Sequence, residues 1–67
     1  MKQKEFGKKL RELRKNKQMT QIELAKLLNT KQDSISLWEL GKSYPNIFML
    51  LSIAEVFDIT TDFLLGL

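Results

Sequence analysis

Residues 20–41 run Thr20-Gln21-Ile22-Glu23-Leu24-Ala25-Lys26-Leu27-Leu28-Asn29-Thr30-Lys31-Gln32-Asp33-Ser34-Ile35-Ser36-Leu37-Trp38-Glu39-Leu40-Gly41 and carry the strongest local structure signals in the chain. Thr20 and Glu23 form a capping box, in which each side chain satisfies a free backbone N–H of a helix's first turn. Met19 and Leu24 stand at the N′ and N4 positions of a hydrophobic staple. A helix therefore starts here, with Leu24, Ala25, Leu27 and Leu28 as its apolar face. It ends near Leu28, because Asn29 is one of the few non-glycine residues that tolerate a left-handed conformation after a helix. After a very short turn, a second helix spans about residues 31–39. Ser34, Ile35 and Trp38 share one side of it, and Trp38 reads as a core aromatic. Gln32, Asp33, Ser36 and Leu37 share the other side. That face is mostly short and polar, suited to lying close against another surface. Gly41 stops the helix, and Gly41-Lys42-Ser43-Tyr44-Pro45 reads as a loop.

The pattern continues on both sides. Phe6, Leu10 and Leu13 recur at i, i+4, i+7 and predict a first helix over about residues 3–16. Arg14 falls beside that stripe, four residues after Leu10. Asn46 can cap a fourth helix reaching about Phe57, with Ile47, Leu50, Leu51, Ala54 and Phe57 facing inward. Phe48 and Met49 fall outside that stripe. A last helix starts at Thr60 or Thr61, carries Phe63, Leu64 and Leu65, and stops at Gly66. No strand-like alternation of any length occurs. The expectation is one all-α domain over residues 1–67, a bundle of five short helices.

Composition narrows the function. The 67 residues include 11 basic and 8 acidic ones, for a net charge of +3 and a pI near 9.4. There is no Cys and no His, which excludes disulfides, thiolate chemistry and ordinary zinc, copper or haem sites. No metal and no cofactor are expected. The longest apolar run, Ile47 to Leu51, is far below the roughly 20 residues that span a bilayer. The basic N-terminus lacks the apolar segment of a signal peptide. A cytoplasmic location is expected, with no membrane role. A chain of this size buries only about 60% of its unfolded surface, so a deep catalytic cleft is not expected. The scattered carboxylates, lysines and Tyr44 form no acid–base constellation, and the expectation is that the chain is not an enzyme.

Charge is segregated along the chain. Residues 1–17 hold eight basic and two acidic residues, net +6; residues 43–67 hold Glu55, Asp58 and Asp62 and no base. One end suits a polyanion.

Two short helices joined by a three- to four-residue turn make the helix-turn-helix pattern. A narrow second helix that is polar outside can enter a DNA major groove about 12 Å wide, while the first docks across the backbone. Ala25 is the small residue that lets the pair cross closely. Thr20-Gln21-x-Glu23-Leu24-Ala25, Ser34-Ile35-Ser36-x-Trp38-Glu39-x-Gly41-Lys42, Pro45 and Ile53-Ala54 together resemble the Xre/Cro/repressor helix-turn-helix family. The likeness runs from Phe6 to Leu65. It implies a five-helix fold like that of the lambda repressor DNA-binding domain, with the helix-turn-helix at about residues 21–40. It implies sequence-specific binding of double-stranded DNA by a bacterial or phage transcriptional regulator, expected here to be a repressor.

The resemblance also implies residue roles. Gln21 matches a glutamine that contacts phosphate and braces the recognition helix, and Thr20 adds a hydroxyl beside it. Gln32, Asp33, Ser36 and Leu37 match positions that face base edges. Lys31 flanks them, and Lys42 matches a backbone-contacting position. Arg14 and Glu39 match a pair that bridges the first helix to the end of the recognition helix; an arginine beside the core stripe needs an acidic partner. Leu40 stands where the family often has asparagine, and a phosphate contact is lost with it. Leu37 replaces a common long polar reader, but can touch a thymine methyl. Asp33 can accept from cytosine N4. Lys31 replaces a usual capping hydroxyl, and Thr30 is expected to cap instead.

A homodimer on a palindromic operator is expected. Phe48, Met49 and Phe63, in the acidic third that is best kept off phosphate, are the candidate dimer contacts. The competing expectation is an antitoxin-type or other protein-interaction module on the same fold, with a protein partner held through Leu37, Leu40 and Asp33.

Overall fold

Helix boundaries follow the local backbone chemistry closely. The computed structural model describes residues 3–67, so Lys2, one of the bases of the N-terminal segment, lies outside the described residues. The described chain forms α1 (Gln3–Asn16), α2 (Gln21–Leu27), α3 (Gln32–Glu39), α4 (Ile47–Val56) and α5 (Thr61–Leu65), with no strand among the described residues.

Three helices begin on a capping side chain. Thr20 Oγ1 accepts from Glu23 N at 3.0 Å, and Glu23 Oε1 accepts from Thr20 N at 2.8 Å, completing the capping box of α2. Asn46 Oδ1 caps α4 through Met49 N, and Thr60 Oγ1 caps α5 through Phe63 N. The start of α3 corrects an expectation. Its N-cap is Lys31, with no side-chain cap bond, and Thr30 does not cap it. Thr30 instead closes the preceding helix, its N–H donating to Ala25 O at 2.9 Å.

All five helices end the same way. Gln18, Asn29, Gly41, Asp58 and Gly66 follow them with positive φ, from 53° to 74°. The next amide in each case folds back five residues: Met19 N to Arg14 O, Thr30 N to Ala25 O, Lys42 N to Leu37 O, Ile59 N to Ala54 O and Leu67 N to Asp62 O. This is the Schellman closure, which satisfies carbonyls left free at a helix end. It keeps each connection short.

The core is formed by Phe6, Leu10, Leu24, Ala25, Leu28, Ile35, Trp38, Leu50, Ile53, Ala54, Phe57 and Leu64. Two faces differ from the sequence reading. In α4 the buried side is Leu50, Ile53, Ala54 and Phe57, with Met49 packed against the core; Ile47 and Leu51 are 58% and 47% exposed. This helix is apolar almost all round, so its periodicity did not fix which side turns inward. In α2, Leu27 points outward and is 60% exposed.

Gly7 explains how closely α1 approaches α3. A Cβ there would lie 2.4 Å from the Trp38 carbonyl oxygen and 2.6 Å from that of Glu39. The helices cross with backbone against backbone, which places Arg14, two turns further along α1, within reach of Glu39.

Candidate nucleic-acid interface

The α2–α3 pair sits against α1, with α3 packed on both neighbours. Ile35 and Trp38 anchor α3 in the core. On its opposite side Gln32, Asp33 and Leu37 are exposed, while Ser36 is half-buried at the margin. Thr20 is exposed at the start of α2 and Gln21 is half-buried beside it. Lys31 and Lys42 are exposed, flanking α3 at its two ends.

A polar network ties these elements together. Arg14 Nε donates to Glu39 Oε2 at 2.7 Å and Arg14 Nη2 donates to Glu39 Oε1 at 2.9 Å. The fork-to-carboxylate match is bidentate, the strongest geometry for this pair. The two side chains are only 11% and 4% exposed. Arg14 Nη1 also donates to Met19 O at 2.9 Å, joining the α1–α2 turn to the pair. Its hydrogen bond to Glu39, more than offsetting burial, raises the Arg14 pKa further above its ordinary range. Arg14 is a fixed cation.

Gln21 extends the network toward the exposed face. Its Nε2 donates to Glu39 Oε1 at 3.0 Å, and its Oε1 accepts from Gln32 Nε2 at 3.4 Å. One amide thus links the buried pair to the first residue of α3. Gln21 is held by Glu39, and the longer, exposed contact carries the network on to Gln32. Glu23 remains ionised to lower pH than usual, because its carboxylate accepts the Thr20 amide and hydroxyl.

The structure separates the three candidate dimer residues. Phe48 is 75% exposed on α4, and Ile47 and Leu51 extend its apolar surface. Met49, expected outside the inward stripe, packs against the core. Phe63 is 55% exposed, but Lys9 lies over its ring, with Nζ 4.8 Å from the centroid and 2.7 Å from the Phe63 carbonyl oxygen.

Sequence reasoning also passed over Arg11. It lines a cleft with Arg14, Gln21, Ser36, Glu39 and Leu40. The available signal was its i, i+3 spacing from Arg14, which puts both on one side of α1.

A family model described as Helix-turn-helix matches residues 10–64. The chain belongs to the helix-turn-helix family. Over 62 residues it is 46% identical to the HTH-type transcriptional activator BcrR of Enterococcus faecalis, covering 92% of this chain and 30% of that protein. It is 35% identical over 61 residues to the HTH-type transcriptional regulator ImmR of Bacillus subtilis (strain 168), covering 91% and 48%. It is 32% identical over 60 residues to the uncharacterized HTH-type transcriptional regulator YqaE of the same organism, covering 90% and 52%. The chain therefore spans about half or less of the length of these relatives. The matched helix-turn-helix region contains the whole network from Arg14 to Glu39. No helix among the described residues is long and apolar enough to cross a membrane.

Proposed function

We propose that this chain is a sequence-specific binding module for double-stranded DNA in a transcriptional regulator acting in the bacterial or phage-infected cytoplasm. The observation that carries the reading is the Gln32–Gln21–Glu39–Arg14 network beneath an exposed α3 face. It resembles what major-groove reading needs: a narrow helix anchored on its inner side, with short polar groups outside. In this reading Gln32, Asp33, Ser36 and Leu37 meet base edges. Thr20, Gln21, Lys31 and Lys42 meet the sugar–phosphate backbone.

The module acts as a two-fold dimer on a palindrome. Recognition helices of such a dimer sit about 34 Å apart, one DNA turn. Phe48, with its exposed neighbours Ile47 and Leu51, is the best-placed apolar surface for the contact. Selection of duplexes from a random pool tests the proposal. An enriched palindromic sequence supports it, and a pool that gains no preferred sequence at low salt refutes it.

A protein-binding reading is favoured by one observation, the exposure of Leu37 and Leu40 at 42% and 59%. Salt separates the two. DNA affinity falls steeply with salt, whereas a complex held through two leucines changes little.

A further inference from the structure

We propose that Arg11 is a backbone-phosphate ligand, binding a phosphodiester at the mouth of the cleft between α1 and α3. This rests on the DNA-binding reading above and adds a residue that neither the helix-turn-helix pattern nor the family resemblance singled out. The cleft measures about 280 Å³ and is lined by Arg11, Arg14, Gln21, Ser36, Glu39 and Leu40. Its acidic group is fully engaged. Glu39 Oε2 accepts from Arg14 Nε, and Oε1 accepts from both Arg14 Nη2 and Gln21 Nε2. No carboxylate in the cleft is left to neutralise a second arginine.

The neighbours of Arg11 on its own helix offer none either. Positions three and four away are Gly7, Lys8, Arg14 and Lys15. Among the described residues, the ion pair of the molecule is Arg14 with Glu39, and Arg11 takes no part in it. An exposed guanidinium among like charges gains most from an anion supplied from outside. Its planar fork matches phosphate in two parallel hydrogen bonds.

Position on the fold says which anion. Gln32, Ser36 and Leu40 follow one another at i, i+4 along α3 and onto its C-cap, a ridge about 12 Å long at 1.5 Å per residue. Gln21 stands by the Gln32 end of this ridge. Arg11 shares its cleft with Gln21, Ser36 and Leu40. A DNA strand that follows the ridge past Gln21 therefore passes Arg11 at the same cleft. Leu40 cannot hydrogen-bond phosphate, but its exposed surface can cover the methylene stem of the arginine. Arg11 thus supplies the polar contact that position 40 lacks.

The test uses the whole chain, wild type and Arg11→Gln, with melting curves to verify equal folding. On a duplex taken from the random-pool selection, wild-type affinity is measured against salt by fluorescence anisotropy. Arg11→Gln should lower the magnitude of the log–log slope by about 0.9 and weaken matched and scrambled duplexes equally. Arg11→Lys should restore the slope. A scan of single methylphosphonates then locates the contact. At one phosphate, neutralisation should weaken the wild type and leave Arg11→Gln unchanged. An unaltered slope and affinity in Arg11→Gln, or additive effects at every phosphate, overturns the assignment while leaving DNA binding intact. If the wild type binds no duplex, the DNA reading and this assignment fall together.

Discussion

Removing either half of the Arg14–Glu39 pair should destabilise the domain far more than loss of a surface salt bridge. With Arg14→Met, Glu39 loses two of its three hydrogen-bond donors and keeps only Gln21 Nε2. Its side chain is 4% exposed, so water cannot replace what is lost without local opening. The Met19 carbonyl loses its donor as well. Breaking a buried pair in this way costs about 3–5 kcal/mol, against roughly 0–1 kcal/mol for an exposed pair. At about 0.05–0.15 kcal/mol per residue, a domain of this size has only roughly 3–10 kcal/mol in total. Arg14→Met should therefore lower Tm by more than about 12 °C, at roughly 4–8 °C per kcal/mol. Glu39→Gln strands the guanidinium instead, with a similar direction. The double variant should cost much less than the sum of the singles, because neither leaves a charge behind for the other. Urea unfolding followed by circular dichroism measures all three. Small and strictly additive losses, each under about 1 kcal/mol, would refute the brace.

Four further outcomes follow from the same geometry. Gly7→Ala, ordinarily favourable inside a helix by about 1 kcal/mol, should here lower Tm, because its Cβ meets the Trp38 and Glu39 carbonyls; a rise in Tm would mean α1 and α3 do not pack so closely. Gln32→Ala should lose about 1–3 kcal/mol of discrimination at one base position, whereas Lys42→Ala should weaken all sequences alike, as competition titrations with single-base variants would report. Phe48→Glu should keep the fold and lose two-to-one binding of a palindrome in sedimentation runs; unchanged stoichiometry would move the dimer contact elsewhere. Glu23 has a lowered folded pKa, so its stabilisation is present above the ordinary carboxylate range and disappears as pH falls through the folded value. The Tm of wild type should therefore drop more on acidification than that of Glu23→Gln.

Much of this arrangement was legible before folding because it is written in local chemistry. Thr20 with Glu23 marks a helix start whatever surrounds it, and Asn29 marks a stop. The two faces of α3 differ enough in polarity that Trp38 and Gln32 could be assigned opposite sides. Arg14 was legible as a residue needing an acid. What was not legible depends on partners distant in sequence. Gly7 looks like a flaw in a helix until the α3 carbonyls that abut it are known. The inward side of α4 could not be read because only Ser52 and Glu55 interrupt its apolar surface, so Ile53 and Ile47 exchanged places. Gln18 and Asp58 take the same left-handed turn as Asn29 and Gly41 without so plain a residue signal. Arg11 gained significance only once both oxygens of Glu39 were seen to be occupied.

The property that decides function is DNA reading by α3. Anisotropy titration of the wild-type chain against its pool-selected palindrome and a scrambled duplex, from low to physiological salt, measures this in one series. Affinity for both should fall linearly in log–log form, by about 0.9 per phosphate neutralised, while the selected sequence stays tighter throughout by a margin that Gln32→Ala reduces. Equal binding of the two duplexes, or a margin that Gln32→Ala leaves untouched, would contradict it.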